Sequence, residues 1–164
     1  YSMYQNLGLP REKWQQADDL WILHYGEEPP SLIEGAQRTI DELSRRGYSL
    51  GIVSSGSESR VRGEIGKLEL TNAFGAVICN EDTVNKKPDP EGLHKAIEAM
   101  SKRPETCAYV GDSPEDIEMG KRAQVLTVGV RSAYPGSKRI LSARPEVYLE
   151  SLPEMLHIFK SPLG

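Results

Sequence analysis

Cysteine is scarce in this chain of 164 residues. Only Cys79 and Cys107 are present, which excludes the disulfide framework that staples many small secreted domains. Each lies within a short apolar run, AVIC and CAYV, and is expected to be a buried free thiol in a strand. A reducing, cytoplasmic setting is the matching expectation. No apolar run approaches the ~18 residues of a membrane span, and the opening YSMYQNLGLP lacks the architecture of a secretory signal. Nor is there a large excess of charge of one sign. A net charge of −4 and a pI of about 5.5 give no reason to expect nucleic acid or an anionic membrane as partner. Internal repeats and low-complexity tracts are also absent. What remains, 38% apolar and 27% charged residues, is the balance of a globular domain long enough to bury its own core. The first residue is Tyr rather than Met, so a truncated or processed start is expected.

The pattern of apolar residues predicts a succession of short elements. Residues 1–30 read as helical, with Pro10 in the first turn and Trp14, Ala17, Leu20, Trp21 and Tyr25 at helical spacing, until Gly26 and Pro29-Pro30 stop it. The two Trp are expected to pack inward. Ala36, Ile40 and Leu43 form the stripe of a second helix that Gly47 ends. Strands are expected in YSLGIVSS, AVIC (76–79), TCAYVGD (106–112), VLTVGV (125–130) and EVYL (146–149). Helices are expected near 57–67, 90–102, 114–123 and 136–143, and from Leu152 to Phe159. Strands apolar throughout are covered on both faces, and strand–helix alternation calls for a parallel sheet between two helical layers. In such a fold the carboxyl ends of the strands share one edge, where ligands bind.

Three clusters fall at that edge. Ser54 and Ser55 stand where LGIV stops, with Gly56 behind them; hydroxyls and loop N–H groups at a helix start can hold an anion, although a serine helix cap explains them equally. In NKKPDPEG, Asp89 and Pro90 make an ordinary helix start. Lys86-Lys87 is left over: either a solvated pair or a cation that the following Pro88 holds in place. In YVGDSPEDIEMG, Ser113, Pro114 and Asp116 fit the cap, first and third positions of a helix, an acidic capping box. Asp112 does not fit that role, and its carboxylate at the ligand edge suits Mg²⁺. His24, His94 and His157 are expected at the surface or in packing, and Arg60, Arg62 and Arg131 are not distinguished from solvated arginines.

A small hydroxyl, a Lys-Pro and a Gly-Asp-x-x-x-Asp, in that order at successive strand ends, resemble the haloacid dehalogenase superfamily. Within it they resemble the phosphoglycolate-phosphatase-like subgroup with a small helical cap. Ser54 in GIVS matches the family's second motif, Lys87 in KKPDPEGL its third, and Asp112 and Asp116 in VGDSPEDIEMGKRA its fourth; RPEVYLESLPEML resembles the last strand and helix. The resemblance implies a Rossmann-like three-layer α/β/α core over residues 31–164 that lacks its first strand, with residues 1–30 as the remnant of a small helical cap. It implies Mg²⁺-dependent hydrolysis of a small phosphorylated substrate through an aspartyl-phosphate. Ser54 would bind a phosphoryl oxygen, aided by Ser55 and Gly56. Lys87 would offset the charge of nucleophile and phosphate. Asp112 would bind Mg²⁺ directly, and Asp116 would be a ligand or stand just behind one.

No DxD[GST]T sequence occurs in the chain, so the nucleophilic Asp is expected upstream of residue 1. Ser55 stands where the family often has Asn, and Lys86 where Gly often precedes the lysine. Two other readings follow. One is a binding module that keeps the phosphate and Mg²⁺ loops without a nucleophile. The other is a dehalogenase or phosphonate hydrolase on the same scaffold, which the acidic pair Asp112/Asp116 disfavours. Substrate identity and oligomeric state are not legible.

Overall fold

The computed structural model describes residues 8–13, 16, 17, 20, 29–132 and 135–160. The chain divides into two compact units, residues 1–31 and 32–164. In the first, Arg11–Lys13 form a 3₁₀ turn closed by the Lys13 N–H on the Pro10 carbonyl, and Ala17 and Leu20 are helical. Trp14, Trp21 and Tyr25 of the predicted helix lie outside the described residues, as does His24.

The second unit is a parallel α/β fold. Its elements are α1 (Ala36–Arg45), β1 (Gly51–Val53), α2 (Glu58–Lys67), β2 (Ala76–Ile78), α3 (Glu91–Ala99), β3 (Ala108–Gly111), α4 (Pro114–Arg122), β4 (Leu126–Val130), β5 (Val147–Leu149) and α5 (Met155–Ile158). The expected layering is present, because β4 buries alternate residues on opposite faces. Val128 and Val130 pack with Leu43 of α1 and Met155 of α5. Thr127 and Gly129 face the other way, toward Gly120 of α4 and toward Ile140. A second cluster, Leu93, Ile97, Met119, Ala123 and Val125, lies under α3 and α4.

Pairing divides the strands into two groups. β1 pairs with β2, and β3, β4 and β5 form a three-stranded sheet, every pair parallel. The register sets Gly51 beside Ala76, Ala108 beside Leu126 and Val128 beside Val147. Among the described residues no ladder joins β1 to β3.

Local chemistry sets the element ends. Gly47, at φ +87°, follows the cap residue of α1. There the Gly47 N–H bonds the Ser44 carbonyl and the Tyr48 N–H the Leu43 carbonyl, which closes the helix in a Schellman turn. The predicted helix at 136–143 is a 3₁₀ run over Pro135–Ala143, and the last predicted helix is a 3₁₀ turn, Leu152–Glu154, leading into α5. The cysteines flank strands rather than sit within them: Cys79 is buried just after β2 and Cys107, half-buried, just before β3.

Candidate active site at the carboxyl ends of the strands

The third cluster is built around α4. Ser113 is its cap, with φ −121° and ψ 155°; its hydroxyl oxygen accepts from the Asp116 N–H, and its O–H donates to Asp116 Oδ2 at 2.8 Å. Asp116 Oδ2 also accepts from the backbone N–H groups of Asp112 and Ser113, each at 3.3 Å. The predicted capping box is therefore present residue for residue. Its acid also reaches further than capping requires. Asp116, only 7% exposed, turns its other oxygen to Lys87, with Nζ to Oδ1 2.9 Å. Burial by itself would raise the Asp116 pKa, but the Lys87 charge and the hydrogen bonds from Lys87 and Ser113 outweigh it, and the carboxyl titrates below its usual range.

Lys87 reaches this carboxylate from the loop between β2 and α3. The loop is tied down on its own account. Glu91 in the first turn of α3 accepts from the N–H groups of Val84 and Asn85 and pairs with Lys95. Those three partners hold the Glu91 pKa at about 2. The same helix starts one residue later than the sequence suggests: Pro90 occupies the cap position, and Asp89, one position before it, accepts from the Glu91 N–H at 3.0 Å. The two lysines then part. Lys86 Nζ donates to carbonyls of its own loop, those of Asn80 and Thr83. Lys87 Nζ turns inward, to the Val53 carbonyl at 2.9 Å, the Tyr109 hydroxyl at 2.8 Å and Asp116.

Val53 is the last residue of β1, so the Lys87 ammonium ties the first cluster to the third. Beyond Val53, the Ser54 N–H continues the β1–β2 pairing by bonding the Ile78 carbonyl at 2.8 Å. The Ser54 hydroxyl oxygen accepts from the Gly56 N–H at 3.0 Å, which engages that amide. The Ser54 hydroxyl hydrogen has no acceptor among the described residues. Ser54, Ser55, Asn80, Asn85 and Lys87 line one small open cleft. Ser57 occupies the cap position of α2 without a side-chain cap bond; the Glu81 carboxylate takes the Glu58 N–H instead, at 2.8 Å.

Asp112 differs from Asp116. Its backbone N–H is held, but its carboxylate accepts no hydrogen bond from the described residues. Arg62 and Arg131 stand in exposed pairs with Glu58 and Glu150, and Arg60 pairs with Glu64. His94 and His157 are exposed. Sequence reading passed over Tyr109. Its one visible signal is a polar tip in the otherwise apolar run CAYVG, three residues before Asp112.

A half-buried lysine paired with a buried aspartate at the carboxyl ends of parallel strands belongs to a Rossmann-like α/β domain. A sequence model of the haloacid dehalogenase-like hydrolases matches residues 3–130, and the chain belongs to that family. It is 34% identical over 143 residues to the pyrophosphatase PpaX of Listeria welshimeri, covering 87% of this chain and 62% of that protein. The chain thus spans about 62% of the length of the curated relative. A haloacid dehalogenase superfamily hydrolase of Geobacter sulfurreducens superposes with a TM-score of 0.63 at 26% identity, over 77% of this chain and 60% of that one. A protein described as a predicted phosphoglycolate phosphatase, from Haemophilus somnus, superposes with a TM-score of 0.79 at 20% identity, over 92% and 68%, a likeness of fold.

Proposed function

We infer that the protein is a Mg²⁺-dependent phosphohydrolase acting on a small phosphorylated metabolite. The observation that carries this is the Lys87 ammonium. It joins the end of β1, through Val53, to the start of α4, through Asp116, and so gathers three strand-end loops around one cation. Lys87 offsets the negative charge of an incoming phosphoryl group, and Ser54 donates its hydroxyl hydrogen to a phosphoryl oxygen. Asp116, with both oxygens engaged, holds Lys87 and the backbone of the Asp112 loop rather than meeting the substrate. The work of these residues is positioning and charge stabilisation. The aspartyl-phosphate would form on a nucleophilic Asp that is not among these residues.

The donor set at Asp112 fits Mg²⁺ of one kind. Mg²⁺ accepts one or two carboxylates together with phosphate oxygens and water. Among the described residues no three His, Cys, Asp or Glu stand together as a metal cage, while the Asp112 carboxylate is unengaged. That suits an ion shared between protein and substrate. When bound, the ion would reduce the repulsion between an anionic nucleophile and its anionic target. Inorganic pyrophosphate is the first substrate to try, because the curated relative is named a pyrophosphatase.

The test uses the protein carrying the segment upstream of Tyr1, assayed on pyrophosphate and on an aryl phosphate with and without Mg²⁺. Turnover should require Mg²⁺, and Asp112→Asn should lower it by ~10²-fold or more. A variant that kept the parent's turnover and Mg²⁺ dependence would remove Asp112 from the metal site.

A further inference from the structure

We propose that Tyr109 is a positioning residue of this site, its hydroxyl fixing the Lys87 ammonium against Asp116; the proposal rests on the phosphohydrolase reading above. An ammonium has three N–H donors and no acceptor. Those of Lys87 go to three different groups: Val53 O at 2.9 Å, Tyr109 Oη at 2.8 Å and Asp116 Oδ1 at 2.9 Å. Tyr109 is thus one of three anchors, and it lies on β3, a different element from the other two. Because its oxygen accepts from Lys87, its own hydrogen is free to donate, and Asp116 Oδ1 at 3.2 Å and Val53 O at 3.3 Å are both in reach. The hydroxyl therefore touches every other partner of the ammonium.

The contact is a hydrogen bond and not a cation–π contact. Nζ lies 5.4 Å from the ring centroid but 2.8 Å from the hydroxyl, beyond the rim of the ring and not over its face. Phenylalanine would fill the same space and leave one Lys87 N–H without its partner. The ring itself is held by the Met119, Ala123 and Val125 cluster, so the hydroxyl is presented from a packed base. Burial, and then the Asp116 charge, push the phenol well above its ordinary pKa. It stays protonated and keeps its hydrogen for donation.

The experiment compares Tyr109→Phe with the parent in two arms. In the first, made on the protein carrying its upstream segment, kcat on the aryl phosphate should fall about tenfold, the scale of one charge-assisted hydrogen bond. KM should stay within about twofold, because a positioning loss acts on the transition state. In the second arm, made on the present chain, the Lys87 ammonium gives a slowly exchanging ¹⁵N-detected signal, assigned by its loss in Lys87→Arg. Tyr109→Phe should abolish that signal. Should the parent hydrolyse neither substrate, the phosphohydrolase reading fails, and the ammonium arm still decides the role of Tyr109. A persisting ammonium signal overturns the proposal whatever kcat does, and so does an unchanged kcat in an active parent. If Tyr109→Phe does not fold, 3,5-difluorotyrosine placed at position 109 keeps the phenol in place and makes its hydroxyl more acidic through two small ring fluorines. The Lys87 resonance should then shift, and an unmoved resonance overturns the proposal.

Discussion

Strands β4 and β1 were drawn from similar sequence and are buried very differently. β4 has a strand on each side, and Thr127–Val130 are all buried. β1 is as apolar, yet Gly51 is exposed and Ile52 and Val53 are only half-buried; all four residues of β3 are half-buried as well. Each of these two strands is paired on one edge among the described residues. Apolar composition makes a strand fit for a sheet interior, but neighbours on both edges put it there. Lys87 and Tyr109 both reach the Val53 carbonyl at the end of β1, Tyr109 from β3 itself.

Lys87 gives the sharpest way to break that comparison, since it bonds both groups. In the protein carrying its upstream segment, Lys87→Ala should lower kcat by ~10²-fold or more, about 2.7 kcal/mol of transition-state stabilisation. Steady-state kinetics on the aryl phosphate would check it, and a loss below tenfold would show that the ammonium has only a structural role. Next in size is the packing contrast itself. Ile117 of α4 is fully buried against the three-stranded group, so Ile117→Ala should cost about 3 kcal/mol. Ile52→Ala in β1 should cost about 1 kcal/mol in the present chain, where the side chain is only partly buried. Urea unfolding of the two variants would measure both, and equal losses would erase the contrast.

The smallest effect concerns the loop that carries Lys87. The Glu91 carboxyl is lowered to about 2 by its bonds to Lys95, Asn85 and Val84. A group depressed in the folded state contributes fully above its unfolded value, here 4.5, and loses that contribution as pH falls toward its folded value. The Val84 and Asn85 amides should therefore lose protection from hydrogen exchange between about pH 4.5 and 2, and Glu91→Gln should show faster exchange already at neutral pH. Protection, measured against the intrinsic exchange rate, that is flat over that interval in the parent and equal in the variant would separate Glu91 from the loop.

What could be read in the chain beforehand was local. The Ser113–Asp116 box lies within four residues, and its geometry follows from helix-start chemistry wherever it occurs. The Schellman turn at Gly47 is legible for the same reason. Strands and their parallel sense followed from uninterrupted apolar runs between helices. The division of the sheet was not legible, because it depends on which strand lies beside β1 in space. Between Lys86 and Lys87, the place before Pro88 and the family resemblance point to Lys87; the inward course of its ammonium, against the local bonds of Lys86, depends on the fold. Tyr109 was missed because its ring belongs to the apolar pattern of β3, while its hydroxyl meets a lysine 22 residues back in the chain. The run Pro135–Ala143 has helical apolar spacing, yet it is wound as a 3₁₀ helix.

Gly111, the last residue of β3, has no side chain where Asp116 folds back over the strand. A Cβ there would stand 2.3 Å from the Asp116 Cβ and 2.6 Å from its carboxyl carbon. A single methyl group at this position would expel the acid from its seat. The lysine would lose its counter-charge although neither residue of the pair had been altered. Alanine at position 111 thus releases the cation indirectly, through Asp116, and its damage should show first as a wandering ammonium, before any loss of helix.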